Sequence, residues 1–229
     1  MRQLLLDLLP ETPPTLADFV AGSNDDALTA LAAWLAPEDR EPALLLCGDS
    51  GCGKSHLLRA CADAADGCYV DAAADPALRA VPEMLDGLPL LAVDNVAALD
   101  EAGQIALFNA FNRIKVQSTL PRTKLLVAAA QAPAALALRE DLRTRLGSAL
   151  IYRLQPLSDA EKTAALNAQA AARQLQLPAD AIDYLLRHAP RDMRTLSALL
   201  AALDRYSLER QRPITLPLLR EVLHSALAN

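Results

Sequence analysis

A chain of 229 residues, 52% of them hydrophobic, is long and apolar enough to bury a sizeable core, which excludes a mainly disordered protein. The net charge of -6 offers no electrostatic footprint for tracking a phosphate backbone, so nucleic acid is not the expected main partner. After residue 156 nine Lys/Arg stand against eight Asp/Glu, so the last part nets +1 and leaves -7 for the first.

In chain order, the leucines after Met1-Arg2 are interrupted by Asp7 and ended by Pro10, and no cleavage-site pattern follows. No segment has about twenty uninterrupted apolar residues, which leads to the expectation of a soluble, cytoplasmic protein with no membrane partner. Ala43 to Cys47 reads as a buried strand, and Lys54 to Ala65 as a helix with Leu57, Leu58, Cys61 and Ala65 on one side. Tyr69 to Ala72 and Pro89 to Asp94 read as strands. Leu107, Phe108, Phe111 and Ile114 recur at helical spacing between Glu101 and Ser118, and Lys124 to Ala128 and Leu150 to Leu154 complete five strands. This alternation predicts an α/β fold with a doubly wound parallel sheet.

After Pro156 every periodic segment is helical. Ser158 and Glu161 form a capping box that opens a helix running toward Leu177. Pro178 restarts the chain for a helix with Ile182, Leu185 and Leu186. A third carries Leu196, Leu199, Leu200 and Leu203, and a fourth Leu218, Leu219, Val222 and Leu223. The expected organisation is an N-terminal segment over 1–14, a nucleotide-binding α/β domain over 15–156 and a small all-helical domain over 157–229. Cys47, Cys52, Cys61 and Cys68 lack the close pairs of a zinc site and read as thiols in a reducing compartment.

The chemistry begins at Gly48-Asp49-Ser50-Gly51-Cys52-Gly53-Lys54-Ser55, a full G-x-x-x-x-G-K-[ST] pattern after an apolar strand and before a periodic helix. The glycines let main-chain N–H groups turn inward around phosphates, and the helix N-terminus adds positive potential. Lys54 pairs with the β and γ phosphates in such a loop, and the Ser55 hydroxyl ligates Mg²⁺. Leu88 to Asp94 is an apolar strand ending in a carboxylate, the Walker B pattern, which places Asp94 as the residue holding Mg²⁺ through water. The next residue, Asn95, has an amide that cannot accept a proton from attacking water, so slow intrinsic hydrolysis is expected.

This order of P-loop, Walker B strand, an Arg before the last strand and an Arg on a helical lid resembles an AAA+ ATPase. The segment Thr15 to Gly22 is similar to the entry segment of DnaA, the bacterial replication initiator. Val93-Asp94-Asn95, Ile151 to Asp159 and Asp192 to Leu196 carry a resemblance to the Hda family of DnaA regulatory inactivators. The resemblance implies ADP or ATP with Mg²⁺ as ligands and a helical lid after the AAA+ domain. It makes Arg145 an arginine finger that acts on a nucleotide bound to a neighbouring molecule, and Arg194 the sensor 2 arginine for the chain's own phosphates. Phe19 and Val20 would lie near the adenine, although packing alone also explains both.

Two departures stand out. The strand Leu125 to Gln131 offers only alanines before Gln131 where the sensor 1 polar group belongs, which also points to weak intrinsic ATPase activity. No DnaA-type helix-turn-helix segment follows the lid pattern, so the chain is not expected to initiate replication by itself or to read a DNA sequence directly. At the N-terminus, Gln3-Leu4-Leu5-Leu6-Asp7-Leu8 fits the Q-L-x-L-x-L form of a sliding-clamp-binding peptide, which the resembled family has there. In an extended conformation Leu4, Leu6 and Leu8 point to one side and Gln3 supplies directional hydrogen bonds. A short helix packing Leu4, Leu5, Leu8 and Leu9 on the body is the alternative. The implied function is regulation of replication initiation, by docking on the clamp (the DNA polymerase III β subunit) and promoting hydrolysis of DnaA-bound ATP. A nucleotide-gated adaptor or helicase-loader-like protein, and a self-sufficient ATPase, remain open, as does self-association.

Overall fold

In a computed structural model of the chain, the described residues are 13–79, 81, 85, 87–116, 123–210 and 213–227, so the N-terminal peptide with Gln3, Leu4, Leu6 and Leu8 lies outside them. Two compact units result, Pro13–Pro156 and the residues from Leu157 onward.

The first unit is a five-stranded sheet of β1 (Ala43–Cys47), β2 (Cys68–Asp71), β3 (Leu90–Asp94), β4 (Lys124–Ala129) and β5 (Leu150–Arg153), in the order β2-β3-β4-β1-β5. All neighbours are parallel, with Leu45 paired to Val127 on one side and to Ile151 on the other. The three central strands are buried at every residue, which explains why they read as continuous apolar runs, whereas the edge strands β2 and β5 are only partly covered.

Alternate strand residues enter separate cores on the two faces. Leu45, Leu91, Val93 and Val127 pack with Leu107, Phe111 and Ile114 of a helix over Glu101–Val116 and with Leu142 and Leu146 of one over Glu140–Gly147. Leu44, Leu46, Ala92 and Leu126 pack with Leu57, Leu58 and Cys61 of α2 (Lys54–Ala64) and with Leu31 and Trp34 of α1 (Asp25–Leu35). The two helices on the first face are α3 (Glu101–Val116) and α4 (Glu140–Gly147). The sheet is thus doubly wound, as its alternating pattern predicts. Buried Lys124 donates to the carbonyls of Trp34 and Ala36, the latter at 2.8 Å, which sets a cation at the carbonyl end of α1.

The second unit contains α5 (Asp159–Ala172), α6 (Ala181–His188), α7 (Met193–Arg210) and α8 (Leu216–Leu227). Leu166, Ile182, Leu185, Leu196, Leu199 and Leu223 share one core. The predicted capping box is formed, with the Ser158 hydroxyl accepting from Glu161 N–H and the Glu161 carboxylate accepting from Ser158 N–H at 2.7 Å. The helix it opens stops at Ala172 rather than running toward Leu177. Gln174 adopts a left-handed φ of 55°, and Leu175 N–H bonds to Ala170 O at 2.9 Å, the six-to-one closure of a Schellman cap. That cap ordinarily uses glycine, so the sequence carries no stop signal here.

Candidate functional site

The carboxyl ends of parallel strands are where an open α/β sheet builds its sites. The P-loop leaves β1 there and enters α2 at Lys54. Gly48 and Gly53 are required for reasons of space as well as backbone. A Cβ on Gly48 would lie 2.4 Å from Leu154 O, and one on Gly53, whose φ is 98°, 2.5 Å from Phe19 Cε2. Gly51, with φ 79°, faces open space. The Lys54 ammonium donates to Gly48 O at 2.8 Å and to Asp49 O at 2.9 Å, which holds a cation across the loop.

The entry segment is fastened to this loop. His56, in the first turn of α2, lies 2.8 Å from Thr15 O, and its ring meets the edge of Phe19 at a centroid distance of 5.5 Å. Asn24, 3% exposed, bonds Ala21 O and Gln155 O through Nδ2 and accepts Gln155 N–H at 2.7 Å. Phe19 therefore packs against the loop, and half-buried Val20 lies on the segment between these two anchors. Sequence reasoning misses His56 and Asn24, since a lone polar residue gives no signal of a contact 41 or 131 positions away.

Gly53→Ala is expected to cost about 1–3 kcal/mol, because it combines a strained positive φ with the overlap on Phe19. Phe19→Ala made together with it should recover only the overlap part. Thermal unfolding of the two variants measures both, and equal stability of Gly53→Ala and wild type would refute the stated geometry.

At the end of β3, Asp94 is only 1% exposed. It accepts from Tyr69 Oη at 2.8 Å on one oxygen and from Asn95 N–H at 2.8 Å on the other. Burial first, and then this hydrogen bond, push the Tyr69 phenol well above its ordinary range, so it remains a donor. Ser55 is exposed on the first turn of α2. Loop N–H groups, a lysine, a hydroxyl and a buried carboxylate match the donors and acceptors that a nucleoside phosphate and Mg²⁺ need.

Arg145 is on a different edge. α4 ends at Gly147, with two residues between it and the start of β5, and Leu150 pairs in parallel with Leu44 near the start of β1. The end of α4 therefore lies toward the amino edge of the sheet, while the chain's own P-loop leaves the carboxyl edge. The Arg145 guanidinium lies over Phe108 at 5.8 Å, in a shallow depression of about 790 Å³ lined also by Arg139, Asp141 and Thr144. Arg139 beside it pairs with Asp141 at 3.0 Å and with Glu101 at 3.9 Å. Arg194 belongs to the other unit, in the first turn of α7, where Asp192 accepts Thr195 N–H at 2.9 Å. Gln131 is exposed just beyond β4, after the buried alanines Ala128 and Ala129.

None of the four cysteines is in a disulfide, and Cys47, Cys52 and Cys61 are buried. Burial pushes the Cys61 thiol up to about 12. No helix among the described residues is long and apolar enough to cross a membrane.

Residues 159–223 match the family model of the Hda lid domain. The chain has the AAA+ fold, with a match to the Hda lid domain in its second unit. Its fold is similar to domain III of the Thermotoga maritima replication initiation protein DnaA, at a TM-score of 0.71 and 18% identity over 91% of this chain and 95% of that one. AMPPCP-bound DnaA from Aquifex aeolicus aligns at a TM-score of 0.65 and 22% identity, covering 90% and 71%. The Thermotoga maritima RuvB branch migration motor aligns at 0.66 and 17%, covering 95% and 72%. A likeness shared between an initiator and a branch migration motor defines the fold alone.

Proposed function

We propose that this chain binds ADP or ATP with Mg²⁺ at Gly48 to Ser55 and Asp94, and regulates replication by promoting hydrolysis of ATP held by DnaA. The observation that carries the reading is the Hda lid at residues 159–223, joined to a P-loop unit. In this reading the loop amides and Lys54 hold the phosphates. Ser55 and, through water, Asp94 hold Mg²⁺, which neutralises phosphate charge when bound. Phe19 and Val20 flank the adenine, and Arg194 contacts the chain's own nucleotide. Arg145 serves a nucleotide on the partner, a role supported by its position toward the edge opposite the chain's own P-loop. There it would neutralise charge developing on the transferred phosphoryl group.

The test is a hydrolysis assay with ATP-loaded DnaA, the sliding clamp and DNA. Addition of the wild-type chain is expected to accelerate loss of DnaA-bound ATP. No acceleration, with clamp and nucleotide still bound, would favour the adaptor reading.

Docking on the clamp is assigned to Gln3, Leu4, Leu6 and Leu8. Replacing Gln3, Leu4 and Leu6 together with Ala should abolish retention on immobilised clamp and leave nucleotide affinity unchanged. Retention by the triple variant would defeat the peptide assignment. Loss of nucleotide binding as well would indicate that these leucines pack on the body.

A further inference from the structure

The edge strand β2 supplies two side chains to which sequence reasoning gives no role. Tyr69 and Asp71 are two residues apart, so they share one face of the strand, and each engages one of two consecutive residues at the end of β3. Tyr69 Oη donates to Asp94, and Asp71 Oδ1 accepts from Asn95 Nδ2 at 2.9 Å. Asp71 is itself held at the strand end. The same oxygen accepts Ala73 N–H at 2.9 Å, and its main-chain carbonyl accepts from Ala74 N–H and Asp75 N–H at 3.0 and 2.9 Å. Asn95 adopts a left-handed conformation, φ 53° and ψ 41°, that asparagine tolerates and longer side chains disfavour.

We propose that Asp71 is a positioning residue that fixes the side chain at 95 as an amide and excludes a carboxylate base there, so that a neighbouring strand keeps intrinsic hydrolysis slow. The proposal deepens the nucleotide-site reading given above and rests on it for its functional meaning. Only a donor at 95 satisfies the Asp71 carboxylate. An aspartate at 95 would meet a second carboxylate at hydrogen-bond distance with no donor between the two, so the bond is lost and the like charges repel. The new acid would swing away from the position that Asn95 holds. A glutamate would in addition meet the left-handed backbone. A group able to accept a proton from water would then be present without being positioned, which removes most of its catalytic value.

The experiment compares wild type, Asn95→Asp, Asp71→Asn and the double variant in the full chain, by thermal unfolding at neutral pH without nucleotide. Asn95→Asp should lower Tm by about 3 °C or more. Asp71→Asn should stay near wild type, since its amide oxygen still accepts from Asn95. The double variant should recover most of the loss, because the amide introduced at 71 can donate to the carboxylate introduced at 95, with the polarity of the bond reversed. Additive shifts across the cycle would overturn the proposal. Should Asn95→Asp fail to fold, recovery of a cooperative transition in the double variant supports the pairing, and failure to recover it counts against it.

With ATP and Mg²⁺ present, turnover by Asn95→Asp and by Asn95→Glu is expected to stay within about threefold of wild type. A merely structural role for Asp71 would not impose this limit, and a tenfold rise in either variant overturns the assignment. Because the melting cycle needs no nucleotide, its outcome is separate from calorimetry of ATP binding to wild type, which decides the nucleotide site itself.

Discussion

Lys54→Ala is expected to weaken ADP and ATP binding by roughly thirty- to a thousandfold, the equivalent of about 2–4 kcal/mol. The ammonium spans the loop between Gly48 O and Asp49 O, and no other cationic side chain is carried by Gly48 to Ser55. Charge-assisted hydrogen bonds to phosphate are about twice as strong as neutral ones, and the truncated side chain leaves the phosphate charge facing only main-chain amides. The fold should survive, because Asp49 is exposed and its carbonyl can turn to water, which leaves only the Gly48 carbonyl to find another donor. Calorimetry on a variant with a wild-type melting profile makes the comparison clean. Unchanged affinity would remove the nucleotide from this loop altogether.

Arg145→Ala should have the opposite signature, an effect on turnover without one on binding. An arginine finger is worth roughly 10³ to 10⁵ in rate, so DnaA-bound ATP should decay at nearly the unassisted rate when this variant replaces wild type. Its melting temperature, ADP affinity and clamp retention should stay close to wild type. The side chain is not buried and loses a cation–π contact with Phe108, a contribution of about 0.5–1 kcal/mol at such a site. Arg143→Ala, on the same helix, controls for general charge. Full stimulation by Arg145→Ala would exclude the trans-acting mechanism, whereas equal loss in both variants would point to a diffuse electrostatic surface.

The parts of this fold that are legible in the sequence are those written by local rules. Central strands with both faces covered read as apolar runs, and the readings of β1, β3 and β4 fall within a residue of their observed ends. The P-loop and the capping box are legible because each encodes its geometry within a few residues. Helices α1 and α4 escape such a reading. α1 shows its periodicity only through Ala27, Leu31 and Trp34, and α4 is a short, strongly charged helix whose buried residues are Leu142 and Leu146. The partners of Asp94 and Asn95 are hidden because they lie on another strand. Register alone brings Asp71 opposite Asp94, and register is a property of the sheet.

The position of β1 also governs the order in which the molecule can form during synthesis. β1 emerges first among the strands, yet its neighbours in the sheet are β4 and β5, the last two to be made. Until then Leu44, Leu45 and Leu46 have no strand to pair with, and the loop that follows them has no Leu154 beside Gly48. Such late, non-local closure slows folding and leaves an apolar, β-prone stretch open to chaperones or to aggregation on the ribosome. A nascent chain stalled before Leu150 should therefore remain sensitive to protease even though its whole nucleotide-binding motif has been translated.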